Sequence, residues 1–121
     1  MSVKVHQLMT ESVVTVGRTS SVEEVRRLLE EHRIGAVPVV DQIGQPVGIV
    51  SSTDLIQHAD PGLPIERIMT DRVYTVPKNG DASVAARVMR SQNVHRVVVT
   101  HEKKVVGVLS AFDLLTLVED R

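Results

Sequence analysis

The segment Gly48-Ile49-Val50-Ser51-Ser52-Thr53-Asp54-Leu55 returns as Gly107-Val108-Leu109-Ser110-Ala111-Phe112-Asp113-Leu114. Any fold for this chain must therefore accommodate two copies of one unit. Each copy reads as a short buried β-strand running into a helix, with a hydroxyl at the junction and a carboxylate three residues later, in the first helical turn. Two readings of the motif compete. Ser-x-x-Asp before an apolar run is a capping box, in which hydroxyl and carboxylate satisfy backbone N–H groups left free at the helix start. The same two groups can instead hold a ligand, and their joint recurrence with matching flanks adds weight to that reading.

The flanks show how far the repeat extends. Met9-Thr10 answers Met69-Thr70, Val13 answers Val73, and Thr15-Val16 answers Thr75-Val76. Ile34-Gly35-Ala36-Val37-Pro38-Val39-Val40 aligns at the same offset with Val94-His95-Arg96-Val97-Val98-Val99-Thr100. From Gly48 and Gly107 onward the offset is one residue shorter, so the lost residue falls between Asp41 and Val47, at a turn marked by Gly44 and Pro46. The linker is Asp60-Pro61-Gly62-Leu63-Pro64. The repeats are expected over residues 7–60 and 65–118.

At 121 residues and 42% hydrophobic content the chain can bury one ordinary core, so the two copies are expected to share it. A formal net charge of -1, one Tyr, one Phe and no Trp leave neither a basic footprint nor a stacking platform, which argues against nucleic acid. Without cysteine there is no disulfide framework and no thiolate metal site, and a reducing compartment is expected. No apolar run approaches the roughly 20 residues of a membrane span, and Met1-Ser2-Val3-Lys4 lacks the apolar stretch of a signal peptide. The expectation is a soluble cytoplasmic protein with no membrane partner.

In chain order, Val5 to Met9 is predicted to form one helical turn that opens the first repeat, followed by a strand from Val13 to Val16 and a break at Gly17-Arg18-Thr19. Ser21 with Glu24 forms a capping box ahead of the stripe Val22, Val25, Leu28 and Leu29, giving a helix to about His32. Its other face pairs opposite charges four residues apart. Strands at 36–40 and 46–50 form a hairpin, and Pro38, which has no N–H to donate, belongs at an edge or beside a gap in the pairing. The second repeat follows suit: a turn at Ile65 to Met69, a strand at Val73 to Val76, and a helix capped by Asp81 with the stripe Ala82, Ala85, Ala86 and Met89. A hairpin from Arg96 to Leu109 turns at His101 to Lys104, and a last helix runs from Ala111 to about Val118.

These motifs resemble, taken together, a pair of CBS domains, the tandem regulatory module named after cystathionine β-synthase. The resemblance runs from about Gln7 to Leu115. It rests on Leu8-Met9-Thr10 and Ile68-Met69-Thr70, on Ala36-Val37-Pro38-Val39-Val40-Asp41, and on the two Gly-apolar-apolar-Ser-x-x-Asp-Leu segments. The second copy departs from the pattern at Val97-Val98-Val99-Thr100, which warns that two sites need not bind alike. The resemblance implies an α/β fold of two β-α-β-β-α repeats packed around a pseudo-twofold axis as one compact module. It also implies a stand-alone Bateman-type module that senses adenosine-containing nucleotides, AMP, ADP or ATP, in clefts between the repeats.

The residue chemistry fits that implication. A helix N-terminus and a serine hydroxyl suit a phosphate, whereas a carboxylate in the same turn repels it, so Asp54 and Asp113 are assigned to ribose hydroxyls beside Ser51 and Ser110. Adenine fits between branched side chains, for which Val14, Tyr74, Ala36, Val37, Arg96 and Val97 are candidates; Tyr74 equally suits core filling. The second repeat is expected to bind more strongly, because Arg96 supplies a fixed cation where the first has Ala36, with His95 beside it. No histidine base or metal-ligand spacing accompanies the Ser and Asp residues, so no enzyme, no metal and no required cofactor are expected. The alternative is a structural dimerisation or protein-interaction module whose motifs only cap helices. A homodimer is expected from the apolar set Leu55, Ile56, Leu114, Leu115, Leu117 and Val118, with a monomer whose last helix folds back as the competing reading. Output would pass to an unidentified regulated protein.

Overall fold

The computed structural model describes residues 2–11, 14–58 and 60–119. The expected strand start at Val13 lies outside them. The elements in order are α1 (Val5–Leu8), β1 (Thr10–Glu11), β2 (Val16–Gly17), α2 (Val22–His32), β3 (Ala36–Val40), β4 (Pro46–Ser51) and α3 (Ser52–Ile56). A 3₁₀ turn at Ile65–Arg67 leads into β5 (Thr75–Pro77), α4 (Ala82–Gln92), β6 (Arg96–His101), β7 (Lys104–Ser110), α5 (Ala111–Leu114) and α6 (Thr116–Glu119). The last predicted helix is thus two short ones, parted at Leu115. These elements form two compact units, one of Val14–Val73 and one of Met1–Val13 with Tyr74–Arg121.

In the Val14–Val73 unit the sheet order is β2-β3-β4, with β2 parallel and β4 antiparallel to β3. Val22, Val25 and Leu29 of α2 pack with Val37, Val39 and Val50 of the sheet and with Ile65, as a helical stripe facing branched strand residues should. Ser21 Oγ accepts from the Glu24 N–H at 3.1 Å, the capping bond the sequence announces. On the outer face Arg26 bridges Glu23 and Glu30, and the guanidinium holds the Glu23 carboxyl below its ordinary range. Pro38 is fully buried in the central strand, and β2 begins its pairing one residue further on, at Val39, so the missing N–H falls beside a gap.

In the other unit the order is β1-β7-β6-β5. Val98, at the position of Pro38, has an N–H and donates it to the Tyr74 carbonyl at 2.9 Å, so β5 pairs from Thr75↔Val98. The β6–β7 hairpin closes on Glu102 and Lys103, both with positive φ (52° and 69°), a type I′ geometry that neither residue favours. The first hairpin is longer: Asp41 Oδ1 accepts from the Ile43 and Gln45 N–H groups, and Gly44 takes φ 87°.

The leading segments are exchanged: residues 3–11 bond to the second repeat and residues 61–70 to the first. Val3 O accepts from the Ala82 N–H at 2.8 Å, the Val5 N–H donates to Gly80 O at 2.9 Å, and the His6 N–H donates to Lys78 O at 3.0 Å. Sixty residues on, Leu63 O accepts from Val22 N–H, Ile65 N–H donates to Ser20 O and Glu66 N–H donates to Arg18 O. Val5 and Ile65 are both fully buried, each in the core of its own unit, so the copies build two cores where one shared core is expected. Asp81 holds the N-cap position of α4, but its carboxylate makes no capping bond, and the nearest cation, Lys4 Nζ, is 3.9 Å away. The carbonyl of Val3 accepts from the first N–H of α4, as that of Leu63 does for α2, and the Val84 N–H that a side-chain cap would take donates to the Asp81 carbonyl at 3.0 Å.

The same exchange explains the glycine that heads each repeated motif. Thr10 and Glu11 pair with Val108 and Gly107, and Thr70 bonds Ile49 through both backbone groups. A Cβ on Gly107 would lie 2.8 Å from Thr10 O and 2.7 Å from Met9 Sδ; one on Gly48 would lie 3.1 Å from Thr70 O and would overlap Met69 Sδ. The Met-Thr pair and the glycine are two sides of one close crossing. No helix among the described residues is long and apolar enough to cross a membrane.

Candidate functional site

Each β4–α3 or β7–α5 junction is a closed capping box. In the first, the Ser51 N–H donates to Asp54 Oδ2 at 2.9 Å, the Ser51 hydroxyl to the same oxygen at 3.1 Å, and the Asp54 N–H to Ser51 Oγ at 3.4 Å. In the second, the Ser110 N–H donates to Asp113 Oδ2 at 2.8 Å and the Asp113 N–H to Ser110 Oγ at 3.1 Å. Both carboxylates are half-buried, and among the described residues neither Oδ1 has a hydrogen-bond partner. One oxygen of each is therefore fixed by the backbone and the other is open to a donor. The helices that follow span five and four residues, so a substantial dipole end for phosphate, expected from the sequence, has little to build on.

The strand before each hairpin turn locks the junction in place. Ser52 N–H donates to Gly35 O at 2.9 Å and Ala111 N–H to His95 O at 2.8 Å, equivalent bonds from helix start to strand entry. Sequence reasoning misses these carbonyls; the one available signal is the matched offset of Gly35 with His95 and of Ser52 with Ala111. Ala36 lies opposite Ser51 across the β3–β4 ladder, and Arg96 lies opposite Ser110 across β6–β7. So Ala36, Ser51 and Asp54 come together in one unit, and His95, Arg96, Ser110 and Asp113 in the other.

The remaining candidates divide differently. Ala36 is buried, while His95 and Arg96 are exposed and form no ion pair among the described residues. The Val37 side chain is fully buried in its core, leaving only its backbone to offer. Val14 is half-buried against the core of its own unit. Tyr74 does fill core, packing on the cluster of Val5, Val76 and Val97, and its hydroxyl donates to Gln92 Oε1 at 3.1 Å. Among the described residues no three His, Cys, Asp or Glu side chains are grouped to hold a metal ion.

Compared with known proteins, residues 5–60 and 65–120 each match the CBS domain. The chain belongs to the CBS domain family. It is 28% identical over 135 aligned positions to the uncharacterised protein MJ1404 of Methanocaldococcus jannaschii and 36% identical over 118 to MJ0188 of the same organism. The alignments cover 97% and 95% of the chain but only 32% and 44% of those relatives, so it spans less than half their length. Among solved structures, the CBS domain pair of protein MJ0100, in complex with 5′-methylthioadenosine and S-adenosyl-L-methionine, superposes with a TM-score of 0.89 at 28% identity, covering 99% of this chain and 98% of that one.

Proposed function

We propose that this CBS pair is a regulatory module that binds an adenosine-containing ligand and has no chemistry of its own. The observation that carries the proposal is the likeness to the MJ0100 pair, whose two ligands share with AMP, ADP and ATP only adenine and ribose. The group that reads such a class must address the nucleoside and not the phosphate. Asp54 and Asp113 are suited to this, because each carboxylate is pinned through Oδ2, with Oδ1 left to accept from a ribose hydroxyl.

In this reading Val14 and Ala36 contribute apolar surface for a base beside the Ser51 box and Val37 its backbone alone, Tyr74 is left to its core, and Ser51 and Ser110 orient their carboxylates. Arg96, exposed next to Ser110, favours an anionic ligand, so the second repeat is the stronger site and prefers AMP or ATP to the cationic S-adenosyl-L-methionine. The ligand acts by preferring one packing of the module over another, in a cytoplasmic homodimer that passes the change to a regulated protein. Four exposed apolar side chains, Ile56, Phe112, Leu115 and Val118, supply the dimer surface; Leu55, assigned to that surface from the sequence, is buried instead. One observation favours the second reading, a purely structural module: in both boxes the hydroxyl and the carboxylate each accept from a backbone N–H at the helix start. Calorimetric titration with AMP, ATP, 5′-methylthioadenosine and S-adenosyl-L-methionine separates the two, with saturable binding of at least one supporting the first and silence from all four the second.

A further inference from the structure

The two exchanged segments make the same bonds but are connected differently. Residues 61–70 belong to the continuous stretch Val14–Val73, the unit they complete. Residues 3–11 complete a unit whose remainder begins at Tyr74, a whole repeat later in the chain. They lie along the edge of β7 not used by β6, against the 77–81 turn and the first residue of α4. Val5 is their one fully buried side chain; Leu8 and Met9 are half-buried.

We propose that this surface of the second repeat is a peptide-docking site whose occupant is the chain's own segment 3–11, and that the segment opens and closes as a unit while both repeats stay folded. Undocking it breaks no bond inside the Val14–Val73 unit and none between β5, β6 and β7. A segment held by one buried side chain, a two-residue strand and a few backbone bonds has the low local stability from which sub-global opening is drawn. The open state frees the β7 edge at Gly107 and Val108, immediately before the Ser110 cap, so docking regulates the junction that carries Asp113. The recognition is that of strand addition: backbone bonds set the register, and Val5, Leu8 and Met9 fill the pockets between.

Amide hydrogen exchange on the full chain tests this. The Ala82 N–H is the key probe, because it lies on the second repeat yet is protected by Val3 O. Val5, His6 and Ala82 should exchange at one common rate, at least about tenfold faster than Val98 at the centre of the sheet. The chain has no cysteine, so Thr10→Cys with Val108→Cys places a single disulfide between residues facing each other across β1–β7. Oxidation should slow those three amides at least about tenfold and leave Val98 unchanged. Exchange of the three at the rate of Val98, or rates indifferent to the disulfide, would overturn the proposal; neither readout requires a nucleotide.

Discussion

The two repeats share their backbone bonds almost one for one, yet their side chains part at many positions, among them Ser21 against Asp81, Ala36 against Arg96, Pro38 against Val98 and Ile65 against Val5, and a five-residue hairpin loop stands against the Glu102-Lys103 turn. What is common builds the fold: exchanged leading segments, glycine crossings and capping boxes. Some of what differs falls at the candidate ligand edge and at the turns, where a change leaves the core intact, and the buried exchanges, Pro38 for Val98 and Ile65 for Val5, keep those positions apolar. The symmetry therefore belongs to the architecture and the asymmetry to the chemistry. A pair built this way can keep one scaffold while its two Ser-x-x-Asp junctions carry different neighbours, Ala36 beside one and Arg96 beside the other.

The comparison is broken most severely at the buried anchors of the exchanged segments. Ile65→Ala should destabilise the protein by about 2 to 5 kcal/mol, and Val5→Ala by less, since fewer methyl groups leave the core. Urea melts of both variants check this; equal and small losses would mean that the exchanged segments do not complete the cores. Next come the crossings. Gly48→Ala and Gly107→Ala should each lose about 1 to 3 kcal/mol from overpacking, whereas Gly17→Ala, with no atom within 4 Å of its added Cβ, should be near neutral.

A smaller effect sharpens the contrast between Pro38 and Val98. Val98→Pro removes the bond to Tyr74 O and should cost about 1 to 2 kcal/mol, while Pro38→Val should leave stability within about 1 kcal/mol; thermal unfolding of the pair decides it. The smallest lies in the second hairpin. Lys103→Gly relieves a positive φ and should raise stability by roughly 1 kcal/mol, and no gain would mean that the turn relaxes to another geometry.

Much of this is legible in the sequence because repeats and caps are local. Ser21 with Glu24, the hairpin strands and the shortened second loop follow from spacing and turn residues, and the closed boxes at Ser51 and Ser110 follow from Ser-x-x-Asp. The exchange is not legible: Leu8-Met9-Thr10 and Ile68-Met69-Thr70 carry the same apolar pattern, so either could pack on either repeat, and sequence order suggests the wrong partner. Asp81 misleads for another reason, since the Val84 N–H that its side chain is expected to cap donates to the Asp81 carbonyl instead. Of the site, Ser110, Asp113, His95 and Arg96 do come together, as do Ala36, Ser51 and Asp54, because each set spans one hairpin. Val37 and Leu55 mark where pattern stops short: alternation identifies a face as apolar but does not say which apolar residues remain in reach of a ligand or a partner.

The adenosine reading rests above all on Asp113 being more than a cap. Asparagine can keep the bond from the Ser110 N–H, so Asp113→Asn should melt within a few degrees of wild type in the absence of ligand. It nevertheless loses the charged acceptor for a ribose hydroxyl, which is worth about 1.5 to 3 kcal/mol, or roughly a ten- to hundredfold weaker affinity. Isothermal titration of AMP into the wild-type and Asp113→Asn proteins should give saturable binding in the first and that loss in the second; equal affinity at equal melting temperature would contradict the assignment and return the motif to helix capping alone.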